Sequence, residues 1–435
     1  MTMTSDHDPD PLPQKRGRVR GQGQGQKLKT MRKPITLALL LIAGLTASAQ
    51  APHLFEHTYP IVTSQNVEIR ALMDSVSVDS IKANIEHLCS YHTRRYDSRY
   101  IWEVQDWLVS RYNGFSVDTV MLHDFPVPYF EQGTADNILA VQWGTKTPEE
   151  YVICGAHYDS WNADGYDPDT IRSPGADDNA SGVAGILETA RILSRHTFDR
   201  TIIYANWCAE EIGLVGSAAY AADCAAQRMD IVAYFNLDMT GYLEQGSDIH
   251  VNLMYTSQDS LLGHYVKRFS RTYFPDMRIW QDWLAWGDSD YSSFNRNGYA
   301  AIHPFEDTHA SSPFIHTRQD VMGVSVNNLE QCKRFTELNL GTVATLAGLN
   351  HDGVEETILP QVAVYPNPAR ESVTILADDE LQHVAVVNLI GQTLSKKEAF
   401  GDHQLILDTD AYPSGIYILK ISTKKGTATR RLVVW

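Results

Sequence analysis

Apolar and polar positions between residues 116 and 349 alternate between two periodicities. Short β-branched and aromatic runs predict buried strands, and stretches with an apolar residue every three or four positions predict amphipathic helices. Strands are predicted at residues 116–121, 137–143, 151–156, 201–207, 231–237, 250–255 and 300–304. Helices are predicted within residues 78–113 and at residues 180–194, 213–227, 260–273, 288–297 and 326–349. This alternation predicts an α/β fold with a mostly parallel (mixed) sheet flanked by helices.

The pattern changes near residue 352. Residues 352–361 are interpreted as a linker, and residues 362–435 contain short alternating runs separated by turns such as P-N-P and P-S-G. Such runs predict a small antiparallel β-sandwich. The segment has no cluster of His, Cys or adjacent acids, so we expect no catalysis there.

The N-terminal 79 residues divide into three segments. Residues 1–30 are polar and are interpreted as a disordered extension or as an upstream start that is not used. Residues 31–50 combine a basic start, a short apolar run and a small-residue end, which is typical of a secretory signal peptide and too short for a membrane span. Residues 51–79 form an N-terminal segment that could include a propeptide, and the main domain is expected to occupy residues 80–351.

Charge and cysteine content narrow the functional classes. The chain has 53 acidic and 36 basic residues, a formal net charge of −17, which argues against binding to nucleic acid or anionic membranes. Five cysteines are scattered without a C-x-x-C motif, and Cys154 and Cys208 lie in apolar runs typical of buried residues. The spacing is compatible with a Cys208–Cys224 disulfide, which sequence alone does not decide.

Candidate chemistry begins at residues 201–217, where a buried strand is predicted to end in Glu210 and Glu211. Adjacent side chains at a strand end cannot both project the same way, so one can face a metal and the other a water or substrate. Four more segments place polar residues just after an apolar run, and they contribute His157, Asp159, Asp177, Asp178, Asp238 and His316. Open α/β sheets place their chemistry at this edge.

Two histidines with several carboxylates indicate divalent metals, zinc foremost, and they suffice for two ions that share a carboxylate. Asp159 could accept the second N–H of His157, as carboxylates do beside ligating histidines. Asp177 and Asn179 precede a predicted helix, so capping explains them at least as well as ligation. A lone histidine such as His316 is more often structural, and only the co-occurrence of five segments favours a metal site.

Those five segments carry a specific resemblance. In order, H-Y-D-S, G-A-D-D-N-A-S-G, A-E-E-I-G-L-V-G-S, N-L-D-M-T and P-F-I-H-T-x-Q-D resemble the M28 family of zinc metallopeptidases across about residues 80–350. The family includes secreted bacterial leucyl-type aminopeptidases, and glutaminyl cyclases are relatives. The resemblance implies a phosphorylase/hydrolase-like zinc exopeptidase fold, two Zn²⁺ per catalytic domain, and removal of N-terminal residues from peptides.

The resemblance also implies roles for individual residues. His157, Asp178 and Asp238 would hold one ion, and Glu211 and His316 would hold the other, with Asp178 as the bridge. A cis peptide follows the bridging residue in the family, here Asp178–Asn179. Glu210 would be the general base for a metal-bound hydroxide nucleophile, and Asp159 is expected to assist it as a second catalytic residue.

A further motif bears on the side-chain pocket. W-G-D-S-D-Y-S-S-F-N-R-N-G-Y resembles the family pattern S-D-H-x-x-F-x-x-x-G-Y, with Tyr291 in the place of the histidine. The candidate pocket residues are Met239, Tyr291, Phe294, Phe305 and Ile315, although ordinary core packing explains them nearly as well.

The C-terminal segment resembles the sorting domain of type IX secretion through Y-P-N-P-A, N-L-I-G-Q, L-D-T-D-A-Y-P-S-G-I-Y-I-L-K-I and R-L-V-V. That resemblance implies export by the signal peptide, passage through the outer membrane with the secretion machinery as partner, and an extracellular or cell-surface location. The alternative is a β-sandwich that binds carbohydrate or packs on the enzyme.

Two other functions remain open from the sequence. One is a single-zinc glutaminyl-peptide cyclotransferase of the same fold, and the other is a non-catalytic surface binding protein on a hydrolase scaffold. For an aminopeptidase, the expected partners are peptide or protein N-termini, with no nucleic acid and no stable membrane span.

Overall fold

The computed structural model describes residues 51–127, 133–165, 167–283, 288–350, 362–388, 391–399, 401–424 and 426–435. The predicted extension, signal peptide and linker, at residues 1–30, 31–50 and 352–361, lie outside these ranges. Within the described ranges, no helix combines the length and the apolar character needed to cross a bilayer.

The main domain alternates strands and helices as the periodicities predict. Its helices are α1 (Val67–Asp74), α2 (Val78–Ser90), α3 (Tyr100–Asn113), α4 (Gly182–Leu193), α5 (Val215–Ala226), α6 (Ser260–Tyr273), α7 (Tyr291–Arg296) and α8 (Leu329–Ala347). Its strands are β1 (Thr119–Val127), β2 (Gly133–Gln142), β3 (Thr147–His157), β4 (Arg200–Trp207), β5 (Asp230–Asn236), β6 (His250–Met254), β7 (Arg278–Asp282) and β8 (Ala301–Phe305).

The eight strands form one mixed sheet in the order β1-β2-β4-β3-β5-β8-β6-β7. Strands β4, β3, β5 and β8 run parallel in its centre, and β1 and β2 continue it antiparallel at one side. The predicted α/β fold is therefore confirmed. Because the four central strands are parallel, their carboxyl ends meet at one edge of the sheet.

Two elements of the main domain were not predicted. Helix α1 has only eight residues, too few to establish a helical period by pattern alone. Strand β7 exposes most of its side chains and therefore lacks the apolar pattern of a buried strand. The predicted helical stretch at residues 78–113 consists of two helices, α2 and α3, which are separated by residues 91–99.

Each face of the sheet has its own apolar core. On β3, Val152, Cys154 and Ala156 pack into the larger core, whereas Tyr151 and Ile153 face the other. This alternation follows the two-residue period of a strand, and burial on both faces explains the continuous run of apolar residues in β3. All five cysteines are reduced, so the Cys208–Cys224 disulfide is not formed.

The C-terminal segment is an antiparallel β-sandwich, as predicted. Its strands are β9 (Val362–Tyr365), β10 (Ser372–Ala377), β11 (Leu381–Val387), β12 (Thr393–Glu398), β13 (Gln404–Asp408), β14 (Gly415–Thr423) and β15 (Thr427–Val434). They form two sheets, ordered β13-β10-β9 and β12-β11-β14-β15. Only β12 was not predicted. Its sequence, T-L-S-K-K-E, is mostly polar because β12 is an exposed edge strand, so it lacks the alternating apolar pattern.

The sandwich packs against the main domain near the amino ends of the central strands. Val387 and Ile418 belong to the same apolar core as Tyr151 of β3. The ammonium group of Lys420 lies 3.7 Å from the ring centroid of Trp143, and burial lowers the pKa of Lys420 to about 8 against the opposing charge of Asp118. This contact lies at the opposite end of β3 from His157, the last residue of that strand.

Candidate metal centre

Three adjacent parallel strands deliver polar side chains to the same edge of the sheet. Strand β3 ends at His157, β4 ends three residues before Glu210 and four before Glu211, and β5 ends two residues before Asp238. The carboxyl-terminal parts of the three strands, at residues 151–157, 201–207 and 231–236, are wholly buried. The polar side chains therefore emerge together where the strands end, the usual place for a site in an open α/β sheet.

Asp178 reaches this edge from the tight turn that precedes α4. The Asp178–Asn179 peptide bond is cis. Asn179 caps the helix, because its Oδ1 accepts the N–H of Gly182 at 2.9 Å. Asp177 Oδ1 accepts the N–H of Gly241 at 2.8 Å. Asn179 therefore agrees with the capping interpretation, whereas Asp177 binds a backbone group 64 residues away and does not cap the helix. Asp178 alone of the three faces the histidines.

The Asp178 carboxylate lies between two histidines. Its Oδ1 is 3.3 Å from His157 Nε2, and its Oδ2 is 3.0 Å from His316 Nε2. Each histidine has a second carboxylate nearby. Asp238 Oδ1 is 3.4 Å from His157 Nε2, and Glu211 Oε2 is 3.0 Å from His316 Nε2. The five side chains thus form two halves joined through Asp178.

Two overlapping groups have ligand atoms within 4.8 Å of one another. One contains His157, Glu210 and Asp238, and the other contains His157, Asp178 and Glu211. Glu210 is the outlying member, since its Oε2 is 3.9 Å from His157 Nε2 and the other two carboxylates around that atom are closer. We therefore favour a ligand arrangement that leaves Glu210 free.

Several ligand atoms lack partners within the described part of the chain. Glu211 Oε1 and Asp238 Oδ1 are buried without a hydrogen bond, and His157 Nε2 makes none of good geometry. Unpaired buried polar atoms are costly, so a group that pairs with them stabilises the site. Imidazole nitrogens with carboxylate oxygens are ligands that zinc accepts. The residues present therefore fit zinc.

The titration behaviour reflects a surplus of negative charge. Burial and the neighbouring Asp178 carboxylate together raise the pKa of Glu211 to about 8, against the opposing effect of His316. Burial also raises the pKa of Glu210 well above its ordinary value, against the opposing effect of His157. For Asp178, burial acts to raise the pKa, but the close contacts with His157 and His316 outweigh it and hold the pKa below its usual range. Cations bound here would favour the ionised form of all three carboxylates.

Asp159 orients the two adjacent glutamates. Its Oδ1 accepts the backbone N–H of Glu210 at 3.1 Å, and its Oδ2 accepts that of Glu211 at 3.3 Å. The side chain is 1% exposed. Its Oδ1 is 3.6 Å from His157 Nδ1, so the contact expected with that imidazole is longer than a hydrogen bond. The residue is thus connected to the backbone of both acids.

Asp320 plays the matching part for the other acidic pair, and sequence reasoning missed it. Its two carboxylate oxygens accept the backbone N–H groups of Asp177 and Asp178, at 2.8 and 3.2 Å. The signal was available, because Asp320 is the last residue of the P-F-I-H-T-R-Q-D motif. Its role depends on a contact with a loop 142 residues away, which the motif does not reveal.

Two further residues near Asp238 were also missed. Ser289 donates its hydroxyl to Asp238 Oδ2 at 2.7 Å. Asp290 is fully buried, and burial raises its pKa to about 7 against the opposing charge of His157. Both lie in the W-G-D-S-D-Y segment, from which only Tyr291 was predicted to belong to the site. His303, which is close to His316 in sequence but outside the motifs, contacts the backbone oxygen of Asp238 through Nε2 at 3.0 Å.

Four of the five candidate pocket residues are in one apolar cluster. Met239 and Phe305 are its buried members, and Tyr291 and Ile315 pack against it. Met254 completes the cluster and was not among the candidates. Phe294 belongs instead to the core on one face of the sheet, where its ring stacks on Tyr234 with centroids 4.0 Å apart. Its apolar character alone did not distinguish these two environments.

Comparison with known proteins agrees with the motifs. Residues 137–339 match peptidase family M28, and residues 363–435 match the secretion system C-terminal sorting domain. Leucine aminopeptidase 1 of Penicillium rubens is 30% identical over 286 residues, which cover 60% of this chain and 70% of that protein. Leucine aminopeptidase 1 of Fusarium vanettenii is 29% identical over 305 residues, which cover 66% and 75%.

Solved structures share the fold. The LapA aminopeptidase of Legionella pneumophila superposes with a TM-score of 0.58 at 25% identity, covering 68% of this chain and 78% of that one. An aminopeptidase from Aneurinibacillus has a TM-score of 0.52 at 14% identity, covering 66% and 98%. The second likeness concerns the fold alone.

Proposed function

This chain belongs to peptidase family M28 and is a zinc-dependent metallopeptidase, and we propose that it is a secreted aminopeptidase that uses two zinc ions. The observation that carries the proposal is the position of Asp178. One carboxylate with an oxygen toward each of two histidines has the arrangement of a bridge between two metals. A single ion would not need both halves of the site.

The proposed ligands follow the two halves. His157, Asp178 and Asp238 hold one zinc ion, and Asp178, Glu211 and His316 hold the other. The unpaired oxygens of Glu211 and Asp238 support this assignment, because each is buried and has no other partner among the described residues. Zinc bound in this site would supply Lewis acidity, which polarises the scissile carbonyl and makes a water easier to deprotonate.

Glu210 is the proposed general base. Its backbone is held by Asp159, its carboxylate is largely buried, and the favoured ligand arrangement leaves it free. It takes the proton from the attacking water and later delivers that proton to the departing amine. Asp159 assists by fixing where this carboxylate points.

The surroundings support hydrolysis at peptide N-termini. A protonated α-amino group would be attracted by the surplus of carboxylates around Asp238 and Glu210. The apolar cluster that contains Met239 has two partly buried members, Tyr291 and Ile315, which would contact the side chain of the first residue. Together these features favour peptides with a free, apolar N-terminal residue, which we propose as the substrate class.

The sorting domain implies export to the cell surface or beyond. We propose that residues 31–50 act as the signal peptide and that the type IX secretion machinery is the partner of residues 362–435. The proposed domain division places the peptidase at residues 80–351. Residues 51–79 are its N-terminal segment, which contributes α1 and the start of α2 to the packed main domain.

Paired variants test the assignment of the two adjacent acids. Glu210→Gln should lower kcat for an aminoacyl p-nitroanilide by about 10²–10⁴-fold, the usual contribution of a general base, and should retain both zinc ions. Glu211→Gln, the matched control, should lose zinc. Zinc measured by elemental analysis on the same samples separates the two roles. If Glu210→Gln loses zinc as Glu211→Gln does, Glu210 is a ligand and the mechanism is wrong.

A further inference from the structure

A hydrogen-bonded chain of side chains runs through the buried core to the Asp238 carboxylate. Trp207 Nε1 donates to Tyr234 Oη at 2.7 Å, and Tyr234 Oη donates to Asn236 Oδ1 at 2.7 Å. Asn236 Nδ2 then donates to Ser289 Oγ, and Ser289 Oγ donates to Asp238 Oδ2, both at 2.7 Å. The four links connect the ends of β4 and β5 with the segment before α7.

The direction of every link is determined by its first member. An indole N–H can only donate, so the Tyr234 oxygen must accept from Trp207 and is free to donate onward. The hydroxyl of Tyr234 then requires the carbonyl side of the Asn236 amide, which turns the amide nitrogen toward Ser289. Ser289 accepts that N–H and can therefore give its own proton only to Asp238.

The hydrogen-bonded side chains are buried, and a glycine leaves room for them. Trp207, Tyr234 and Asn236 are 0% exposed, and Ser289 is 1% exposed. Gly155 on β3 lies beside the first link, where an added Cβ would be 2.7 Å from Trp207 Nε1 and 3.1 Å from Tyr234 Oη. A side chain at position 155 would therefore displace the indole or the phenol. Burial also raises the pKa of Tyr234 well above its ordinary value, so its hydroxyl remains a donor.

The last link distinguishes the two oxygens of Asp238. Oδ2 accepts the Ser289 proton, while Oδ1 is buried without a hydrogen bond and is 3.4 Å from His157 Nε2. We propose that Tyr234 is a positioning residue that, through Asn236 and Ser289, holds Asp238 Oδ1 toward the metal on the His157 side. This inference rests on the proposed function for the identity of that metal.

Removal of the Tyr234 hydroxyl would release the amide of Asn236. Without that donor, the carbonyl oxygen of Asn236 gains nothing by facing Tyr234, and the amide can turn to present it to Ser289. The Ser289 proton then points at Asn236, and Asp238 Oδ2 loses its donor. An Asp238 carboxylate free to rotate holds a metal less well, and loss of such supporting hydrogen bonds usually costs about 10–100-fold in metal affinity.

Tyr234→Phe tests this inference because it keeps the ring that stacks on Phe294 and removes only the hydroxyl. Tyr204→Phe is the matched control, since Tyr204 is also fully buried and donates its hydroxyl to a side-chain amide, Gln142 Oε1, at 2.8 Å. Zinc affinity is measured on the full-length chain by competition with a chromophoric chelator. We expect the zinc site on the His157 side to lose at least about tenfold in affinity in Tyr234→Phe and less than twofold in Tyr204→Phe.

A double-mutant cycle separates positioning from a general packing effect. If Tyr234 acts through Ser289, Tyr234→Phe should weaken zinc no further in a Ser289→Ala background, because the last link is already missing. An undiminished effect of Tyr234→Phe in that background overturns the inference, and so does zinc affinity equal to that of Tyr204→Phe. Failure of the proposed function is distinguishable, because it would appear as wild-type protein without zinc-dependent hydrolysis.

Discussion

Asp159→Asn tests whether the two adjacent glutamates depend on a single buried carboxylate. The aspartate accepts one backbone N–H with each oxygen, from Glu210 and from Glu211. Asparagine keeps the shape and one acceptor, but its amide N–H₂ must face the other backbone N–H. One charge-assisted hydrogen bond is therefore replaced by two opposed donors.

The expected size follows from that lost bond. A hydrogen bond to a charged group contributes about 1.5–3 kcal/mol, and the site is too buried for water to replace it readily. If the loss is expressed as misplacement of the Glu210 carboxylate, it corresponds to a decrease in kcat of about 10–150-fold. KM should change less, since Asp159 does not face the apolar cluster around Met239.

The assay is hydrolysis of leucine p-nitroanilide by zinc-reconstituted protein, with zinc content measured on the same sample. Asp259→Asn is the control, because Asp259 is also buried and hydrogen-bonded, to Thr256 and Asn295, away from the metal centre. It should lose stability but keep its kcat. A kcat of Asp159→Asn within about threefold of wild type would refute the reasoning. A decrease caused wholly by lost zinc would show that Asp159 positions the ligand Glu211 and not the base Glu210.

Three further predictions concern the metal, the domain contact and the pocket. Zinc binds only the folded site, so chelation should lower the midpoint temperature of thermal unfolding and added zinc should restore it. At a thousandfold excess over Kd, zinc should add about 4 kcal/mol to the free energy of unfolding. An unchanged midpoint would contradict the buried ligand set. The pKa of Lys420 is about 8 in the folded chain and 10.5 ordinarily, so the unfolded chain binds more protons between these values and this residue's contribution to stability rises with pH. Urea denaturation measures the difference in unfolding free energy between wild type and Lys420→Met. This difference should change by up to about 1.4 kcal/mol per pH unit in that window. Parallel pH profiles of the two proteins would contradict the lowered pKa of Lys420. Met254→Ala should open a cavity in the apolar cluster and raise the ratio of kcat/KM for phenylalanine over leucine substrates by about tenfold. An unchanged ratio would show that the side-chain pocket lies elsewhere.

Much of the architecture was predictable because its causes are local. Strands buried on both faces have continuous apolar text, amphipathic helices have a period near 3.6, and both patterns are complete within one element. The polar residues that follow β3, β4 and β5 could be grouped for the same reason, since parallel strands bring their carboxyl ends to one edge. The five proposed metal ligands and Glu210 therefore came from the sequence as a set, and their roles came from the resemblance to a family.

The pairing of these residues was not predictable in the same way. The two oxygens of Asp178 face different histidines, and this follows from the positions of β3 and of a loop more than 130 residues later. Asp320 and Asp159 each bind two consecutive backbone N–H groups, a contact that leaves no trace in the residue type. Phe294 and Phe305 have the same side chain, yet they lie in different apolar clusters, and only that of Phe305 contains Met239, the neighbour of Asp238.

The amino-acid sequence by itself determined which residues are candidates for the chemistry and the edge of the sheet to which they belong, because strand and helix periods act over a few residues. Only the tertiary structure decided how those residues are oriented. Trp207 and Tyr234 are 27 residues apart, and Asn236 and Ser289 are 53 apart, yet hydrogen bonds join them into one chain that ends on Asp238. Such bonds depend on distances of a few tenths of an ångström between elements, which packing sets and periodicity does not encode.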